Sequence, residues 1–298
     1  MRMKLLHGNA QKESLDFFRV WIYTIWLCII AFDPFHALGT LPFESFQEKG
    51  LMVGLLPAPV HWMLVDSRFL LLLKLFTVLL ILCVLLNRYR PMAGMLVGLF
   101  LTLHQSIIRG FGMINHAEIG LLYAVYIVAL FDFLPKPKKS EVNLYAIPLV
   151  MIATFFSFVY VFISVNRLVY GGIDLFLSDS MAIWIVKNTN RSGLFSLHLD
   201  HLIFEFPLLY QFLKWGFPVG TFVEIVAPLC LVSRRIRWAF LTIMFGFHTI
   251  IWLFMGIVFW ENVLLYLVFL DFTKWVVPQF DPKNRPIIFY DGNCGLCN

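Results

Sequence analysis

The sequence predicts an all-α polytopic membrane protein with about eight transmembrane helices, and three observations carry the prediction. Hydrophobic residues make up 60% of the 298 and charged residues only 14%, where a soluble chain carries roughly a quarter charged. Mean hydropathy is +0.81. Several apolar runs approach or exceed the roughly 20 residues needed to cross a bilayer as a helix.

Residues 1–14, MRMKLLHGNAQKES, lack the apolar core and small-residue cleavage site of a removed signal peptide. They are expected to form a cytoplasmic N-terminus ahead of a first span that stays in the membrane. The expected spans are 15–38, 69–86, 92–108, 117–134, 144–165, 217–232, 238–255 and 258–277. The sixth is the hardest to bound, because 206–213 is also apolar and extends or precedes it. The transmembrane domain is therefore 15–277, with 278–298 following it.

Lys and Arg placement orients these spans. With a cytoplasmic N-terminus, the inner segments hold fifteen basic residues and the much longer outer segments hold seven. Every short basic turn, such as Arg88–Arg90, Lys136–Lys139 and Arg234–Arg237, falls on the same side. Both termini are thus expected in the cytoplasm, in a cell (inner) membrane. The net charge of +5 follows from this asymmetry and gives no ground for nucleic-acid binding. The bilayer is the partner the composition implies. Two long loops, 39–68 and 168–205, fall outside and offer the surface for any chemistry.

Polar groups at membrane depth are costly and are either satisfied structurally or retained for a function. Arg19, near the start of the first span, reads as a side chain that snorkels to the inner headgroups. Asp33 precedes Pro34 and reads as a cap on the helix break that the proline causes. His104, at the end of the third span, reads as hydrogen-bonded to a neighbouring helix. Arg109, Asn115, His116 and Glu118 are expected to share one outer mouth, at the start of the run 114–132. One account of that group is a helix cap with a salt bridge. The other is an imidazole tuned by carboxylate and guanidinium neighbours, usable as acid, base or electrophile near neutral pH. The sequence leaves both open.

Arg167, in Val165-Asn166-Arg167-Leu168, reads as an anchor or an anion-binding group. Glu224, in the sixth span, needs a partner or a proton. His248, on the next span, is the partner the sequence suggests. His198 and His201 have metal-compatible spacing around Asp200, but no third ligand is evident, and interfacial polar sequence is the simpler account.

Cys28, Cys83 and Cys230 lie in apolar spans and behave as small hydrophobes. Cys294 and Cys297 form a CxxC after PIIFY and a Gly turn. That order is where a thioredoxin-like fold places its redox pair, with the first cysteine exposed at a helix N-terminus. In the cytoplasm a structural disulfide is not expected. The sequence reaches one residue past Cys297, so these residues supply only the start of such a domain.

Two stretches resemble known families. Residues 15–277 resemble the HTTM domain, the "horizontally transferred transmembrane" family that includes vitamin K-dependent γ-glutamyl carboxylase. The resemblance rests on the Arg19 region, INHAEIGLLYAV, VNRL, and FHTIIWLFMGIVFWENVLLYLVFLDF. The terminal YDGNCGLCN is similar to the opening motif of the DCC family of thiol-disulfide oxidoreductase-like proteins. The first resemblance implies a quinone-like, vitamin K-like ligand and a base histidine, which matches His116. The family's catalytic lysine falls at Asn166 or Arg167, and an arginine stays protonated and cannot be the deprotonating base. Glutamate γ-carboxylation is therefore not the expected reaction, and the large lumenal domain that binds carboxylase substrates is absent from the sequence. The expectation is a quinone-like ligand near the outer face, with His116 as acid or base, and thiol redox at Cys294 and Cys297. The alternative is a non-catalytic accessory protein for export or maturation of a secreted peptide or partner.

Overall fold

A computed structural model describes residues 12–47, 51–111, 118–134, 144–189, 197 and 199–270. Among the described residues the fold is all-helical, with no strand. Nine helices of six or more residues frame it. They are α1 (Lys12–Phe32), α2 (Ser67–Leu85), α3 (Arg90–Gly110), α4 (Ile119–Phe133), α5 (Ala146–Gly171), α6 (Ser180–Thr189), α7 (Pro207–Ile225), α8 (Arg234–Met255) and α9 (Trp260–Leu265).

Five segments are long and apolar enough to cross a membrane: Lys12–Thr40, Ser67–Leu85, Arg90–Gly110, Ala146–Gly171 and Arg234–Met255. Of the remaining expected spans, 117–134 is short and 217–232 is broken, while 258–277 runs beyond the described residues after 270. The fifteen residues of α4 rise only about 22 Å, against a hydrocarbon core of about 30 Å. Helix α7 starts at Pro207 rather than near 217, carries Pro218 inside it, and passes at Ala227 into a 3₁₀ turn containing Pro228. Proline removes a backbone donor and crowds the preceding turn, so it breaks the apolar run that composition reads as continuous. Pro34 does the same to the first span: α1 ends at Phe32 and a 3₁₀ turn, Phe35–Thr40, follows.

Local signals explain the other helix ends. The Asp66 carboxylate accepts from the backbone N–H of Arg68 and Phe69, capping α2. Ser233 caps α8, which stops at Gly256 with φ 65°, the left-handed conformation that only glycine adopts freely.

Helix α1 is the centre of the bundle, packing on α2, α4 and α5. Phe18, Ile22, Tyr23, Trp26 and Ile30 are all buried. Helix α3 approaches α1 and α4 closely because Gly94 and Gly98 on it face them. A Cβ at Gly94 would lie 2.8 Å from the Tyr23 hydroxyl, and one at Gly98 would lie 2.7 Å from the Tyr126 ring. In lipid such packing, not escape from water, is what draws helices together.

One end of this bundle is closed by charge. Arg19 bonds Asp16 and, at 2.8 Å, Asp132. Arg90 reaches the same two carboxylates at 3.3 and 3.2 Å. Arg19 therefore does not snorkel outward: it is buried and holds α1 against the end of α4, while Arg90 brings in the start of α3. The ring also shows that α4 runs antiparallel to both α1 and α3.

Candidate functional site

The polar side chains on α5 recur along one face. Tyr160, Ser164 and Arg167 stand at i, i+4 and i+7, which stacks them on successive turns. Thr221 and Glu224, at i and i+3 on α7, meet that face.

Arg167 and Glu224 form the centre. Arg167 Nη1 donates to Thr221 Oγ1 and to Glu224 Oε2, both at 2.8 Å. Ser164 Oγ donates to the same carboxylate oxygen. The guanidinium carbon sits 5.0 Å from the centroid of the Phe217 ring, in cation–π range. The Glu224 side chain is 4% exposed and that of Arg167 is 16%. Both of Arg167's hydrogen bonds come from Nη1, so Nε and Nη2 make none among the described residues. A cation pinned on one edge by a carboxylate and a hydroxyl, with its other edge open, suits an oxygen acceptor such as a carbonyl, carboxylate or phosphate.

His248 is not the partner of Glu224. Its Nδ1 lies 2.8 Å from the Tyr266 hydroxyl, which lies 2.8 Å from the Tyr160 hydroxyl. Three buried polar groups from α8, the 3₁₀ turn after α9, and α5 thus satisfy one another. The phenylalanines Phe156, Phe240, Phe247 and Phe259 crowd their rings.

Phe217 also lines an apolar cavity of about 520 Å³ between α7 and α8, with Met181 and Ile185 of α6 lining part of it. Its lining is overwhelmingly apolar, Gln211 and Thr242 being the polar exceptions. The Phe217 ring is common to this cavity and to the Arg167 centre.

A second polar group gathers where α1, α2, α3 and α4 meet. His104 Nε2 is 3.2 Å from Asp33 Oδ2, in ion-pair range but without hydrogen-bond alignment, and the Phe35 ring packs on the imidazole at 4.1 Å between centroids. Lys74 Nζ donates to the Asp33 carbonyl at 2.7 Å, crossing from α2 to the end of α1. Asp33 is therefore a tether between helices and not a cap.

Glu118 is buried at the start of α4 and accepts from Gln105 Nε2, one turn before Arg109 on α3. Arg109 occupies the last turn of α3, where a cation suits the helix dipole, and its Nε is buried with no partner among the described residues. The expected mouth thus retains Arg109 and Glu118 near one helix junction, with Gln105 between them. Asn115, His116, Cys294 and Cys297 lie outside the described residues, as does His198. Among the described residues no group of three His, Cys, Asp or Glu is placed to hold a metal ion.

Gln105 and Thr221 were missed by sequence reasoning. Each is uncharged, and only its place one turn from Arg109 or Glu224 distinguishes it. No protein-family model, curated protein or solved structure matches the chain.

Proposed function

We propose that this membrane protein binds a lipid-soluble, quinone-like ligand, with Arg167 holding one of the ligand's oxygens. The observation that carries the reading is the half-satisfied guanidinium: Nη1 is fixed by Glu224 and Thr221, while Nε and Nη2 make no bond among the described residues. A permanent cation stabilises negative charge building on a quinone oxygen and cannot remove a proton. Proton transfer then falls to His116, the histidine the HTTM resemblance singles out. Arg109, Asn115 and Glu118 belong to its neighbourhood in sequence, and Glu224 holds Arg167 in place. The resemblance of YDGNCGLCN to the DCC family adds thiol-disulfide redox at Cys294 and Cys297 to the same protein.

The membrane arrangement proposed with this function has eight spans with both termini cytoplasmic in a cell (inner) membrane. Lys138→Cys and Lys187→Cys are then labelled from opposite sides by an impermeant maleimide. Labelling of both from one side overturns the topology.

The function is tested with a tailless naphthoquinone titrated against purified protein in detergent. Arg167→Gln is expected to weaken binding at least about tenfold, the equivalent of one strong charge-assisted hydrogen bond. His116→Ala is expected to keep binding and lose turnover of the reduced quinone. Wild-type binding in Arg167→Gln, or wild-type turnover in His116→Ala, rules the respective role out.

A second reading has an observation of its own. The Asp16–Arg19–Arg90–Asp132 ring and the Tyr160–Tyr266–His248 chain satisfy themselves, as expected of polar groups that serve packing. In that reading the protein is a non-catalytic accessory for export or maturation of a secreted peptide or partner. It predicts that His116, Glu224 and His248 variants lower the yield of folded protein while what remains works normally.

A further inference from the structure

The chain between α1 and α2 folds into a cap on the helix ends. Its 3₁₀ turn Phe35–Thr40 packs on α2, and its short turn Leu51–Gly54 packs on α3. Phe35, Phe46, Val53 and Leu64 are buried in one apolar cluster with Leu70 and Leu73 of α2 and Ile107 of α3. The Gln47 N–H donates to the Gly110 carbonyl at 2.8 Å, which ties the cap to the end of α3. The His61 ring points inward, its Nε2 3.0 Å from the Val53 carbonyl. With that small core filled, Trp62 and Met63 turn outward, 63% and 49% exposed. The Phe43 ring stacks on one face of the Trp62 indole, with 3.9 Å between centroids and 12° between planes. The stack fixes the indole and leaves its other face bare.

We propose that this Trp62–Met63 corner sits in the headgroup boundary of the bilayer, which makes the cap a lipid-anchored foot beside α2. The partner is the phospholipid surface itself. Nothing in it depends on Arg167 or on a quinone.

Helix length sets the depth. The 19 residues of α2 rise about 28 Å, close to the hydrocarbon thickness of about 30 Å. Leu71, Leu72, Leu75, Phe76 and Leu79 are exposed along it, the stripe that lipid covers on a membrane-spanning helix. The capping residue Asp66 and the first-turn Arg68, both exposed, therefore mark the polar edge of the core. The 3₁₀ turn Met63–Val65 joins Trp62 to that edge. At about 2.0 Å of rise per residue, Trp62 stays within about 8 Å of Asp66. The polar layer on each side of the core is about 5–8 Å deep, so the corner stays within it.

The chemistry matches that layer. Tryptophan pairs a large apolar ring with one N–H donor and collects where acyl chains meet headgroups. Methionine beside it adds a flexible apolar chain. Asp66 and Arg68, a few residues on, stay hydrated among headgroups, whereas a protein covering this corner would have to desolvate both. The segment 39–68, expected to offer a surface for chemistry, is instead held by lipid along this side.

The test uses the full chain in phospholipid nanodiscs. Trp62→Phe keeps an aromatic ring on Phe43, so it is expected to fold, and equal unfolding midpoints check this. Subtracting its fluorescence from that of wild type isolates Trp62 among the nine tryptophans. Three quenchers are compared: phosphatidylcholine brominated high on the acyl chain, the same lipid brominated near the chain end, and aqueous iodide. The Trp62 signal is expected to lose most of its intensity to the shallow bromines and little to the deep bromines or to iodide. Met63→Cys, carrying an environment-sensitive dye with the native cysteines replaced by serine, gives a second reading that needs no subtraction. Its emission is expected to lie to the blue of the free dye in buffer and to follow the same order of quenching.

Quenching by iodide and by neither lipid overturns the proposal and puts the corner in water. Protection from all three quenchers overturns it too, since protein, such as a second copy of the chain, would then cover the corner. Stronger quenching by the deep bromines also overturns it, by placing the corner in the acyl core. Where the two reporters differ, the dye at position 63 decides, because energy transfer among nine tryptophans can mask one of them.

Discussion

Two clusters of buried charge lie in this bundle, and they are built on opposite plans. In the ring of Asp16, Arg19, Arg90 and Asp132, each cation touches both anions and each anion touches both cations. Net charge is zero, and of the Arg19 donors only Nε lacks a partner. At Arg167, one carboxylate meets one guanidinium, both bonds fall on the same nitrogen, and the Phe217 ring lies in cation–π range. A ring in which every charge meets two of the opposite sign suits packing; a guanidinium bonded through one nitrogen keeps donors for another partner. The lesson is that burial of charge does not by itself mark a site, and the donors left over do.

Breaking the closed ring is expected to give the largest effect. The Asp132 side chain is 3% exposed and serves two guanidiniums. Asp132→Ala leaves both arginines only the part-exposed Asp16 as counter-ion, and breaking a buried ion pair by removing one partner typically costs about 3–5 kcal/mol. Thermal unfolding in detergent should fall sharply, and a midpoint near that of wild type would show the ring to be dispensable.

Next comes the Tyr160–Tyr266–His248 chain, which shares the closed plan without formal charge. Tyr266→Phe takes a partner from both Tyr160 and His248, whereas Tyr160→Phe leaves Tyr266 still bonded to His248. Each stranded buried group costs about 1–3 kcal/mol. Tyr266→Phe should therefore be the more destabilising of the two, and the reverse order would place the chain's centre elsewhere.

The two arginines then separate by kind of effect. Arg19→Gln should lower stability and leave naphthoquinone binding intact. Arg167→Gln should lower stability too, since Glu224 then keeps the Ser164 hydroxyl but no cation, and should in addition weaken binding about tenfold. Equal effects of both on binding would erase the distinction between the clusters.

How much of this was legible in the sequence follows the same divide. Five long apolar helices were readable from composition and run length alone, since lipid demands both. The break at Pro34 was legible as an Asp-Pro step, whereas the start of a helix at Pro207 and its end before Pro228 were not visible in hydropathy. Arg167 and Glu224 stood out singly as ionisable residues in apolar context. Their pairing did not, because it joins residues 57 apart on helices that only the fold makes neighbours. Glu224 was matched instead to His248 on the following span, the nearest titratable group in sequence order. Arg19 was misread for the same reason: its partner Asp132 is 113 residues away. Periodicity fixes which face a side chain occupies, and pairing depends on packing that no single segment encodes.

The smallest expected effect lies outside the membrane-spanning helices and tests whether the open plan extends there. Asp179, just before α6, accepts from the Tyr210 hydroxyl at 2.9 Å and from Lys214 Nζ at 3.4 Å. The Tyr210 hydrogen bond first, and Lys214 second, hold its carboxyl below the ordinary value of 3.8. A carboxyl lowered in the folded state contributes stability that is fully present above 3.8 and disappears as pH falls through the folded value. Tyr210→Phe removes the larger cause and draws Asp179 back toward its ordinary range. Unfolding midpoints of wild type and Tyr210→Phe should therefore differ slightly at neutral pH. Part of that difference should vanish below 3.8. Asp179 is fully exposed, so solvent screening keeps the effect small and added salt should shrink it further. A difference that grows on acidification would mean that Tyr210 acts through its packing under Lys214 and not through the carboxylate.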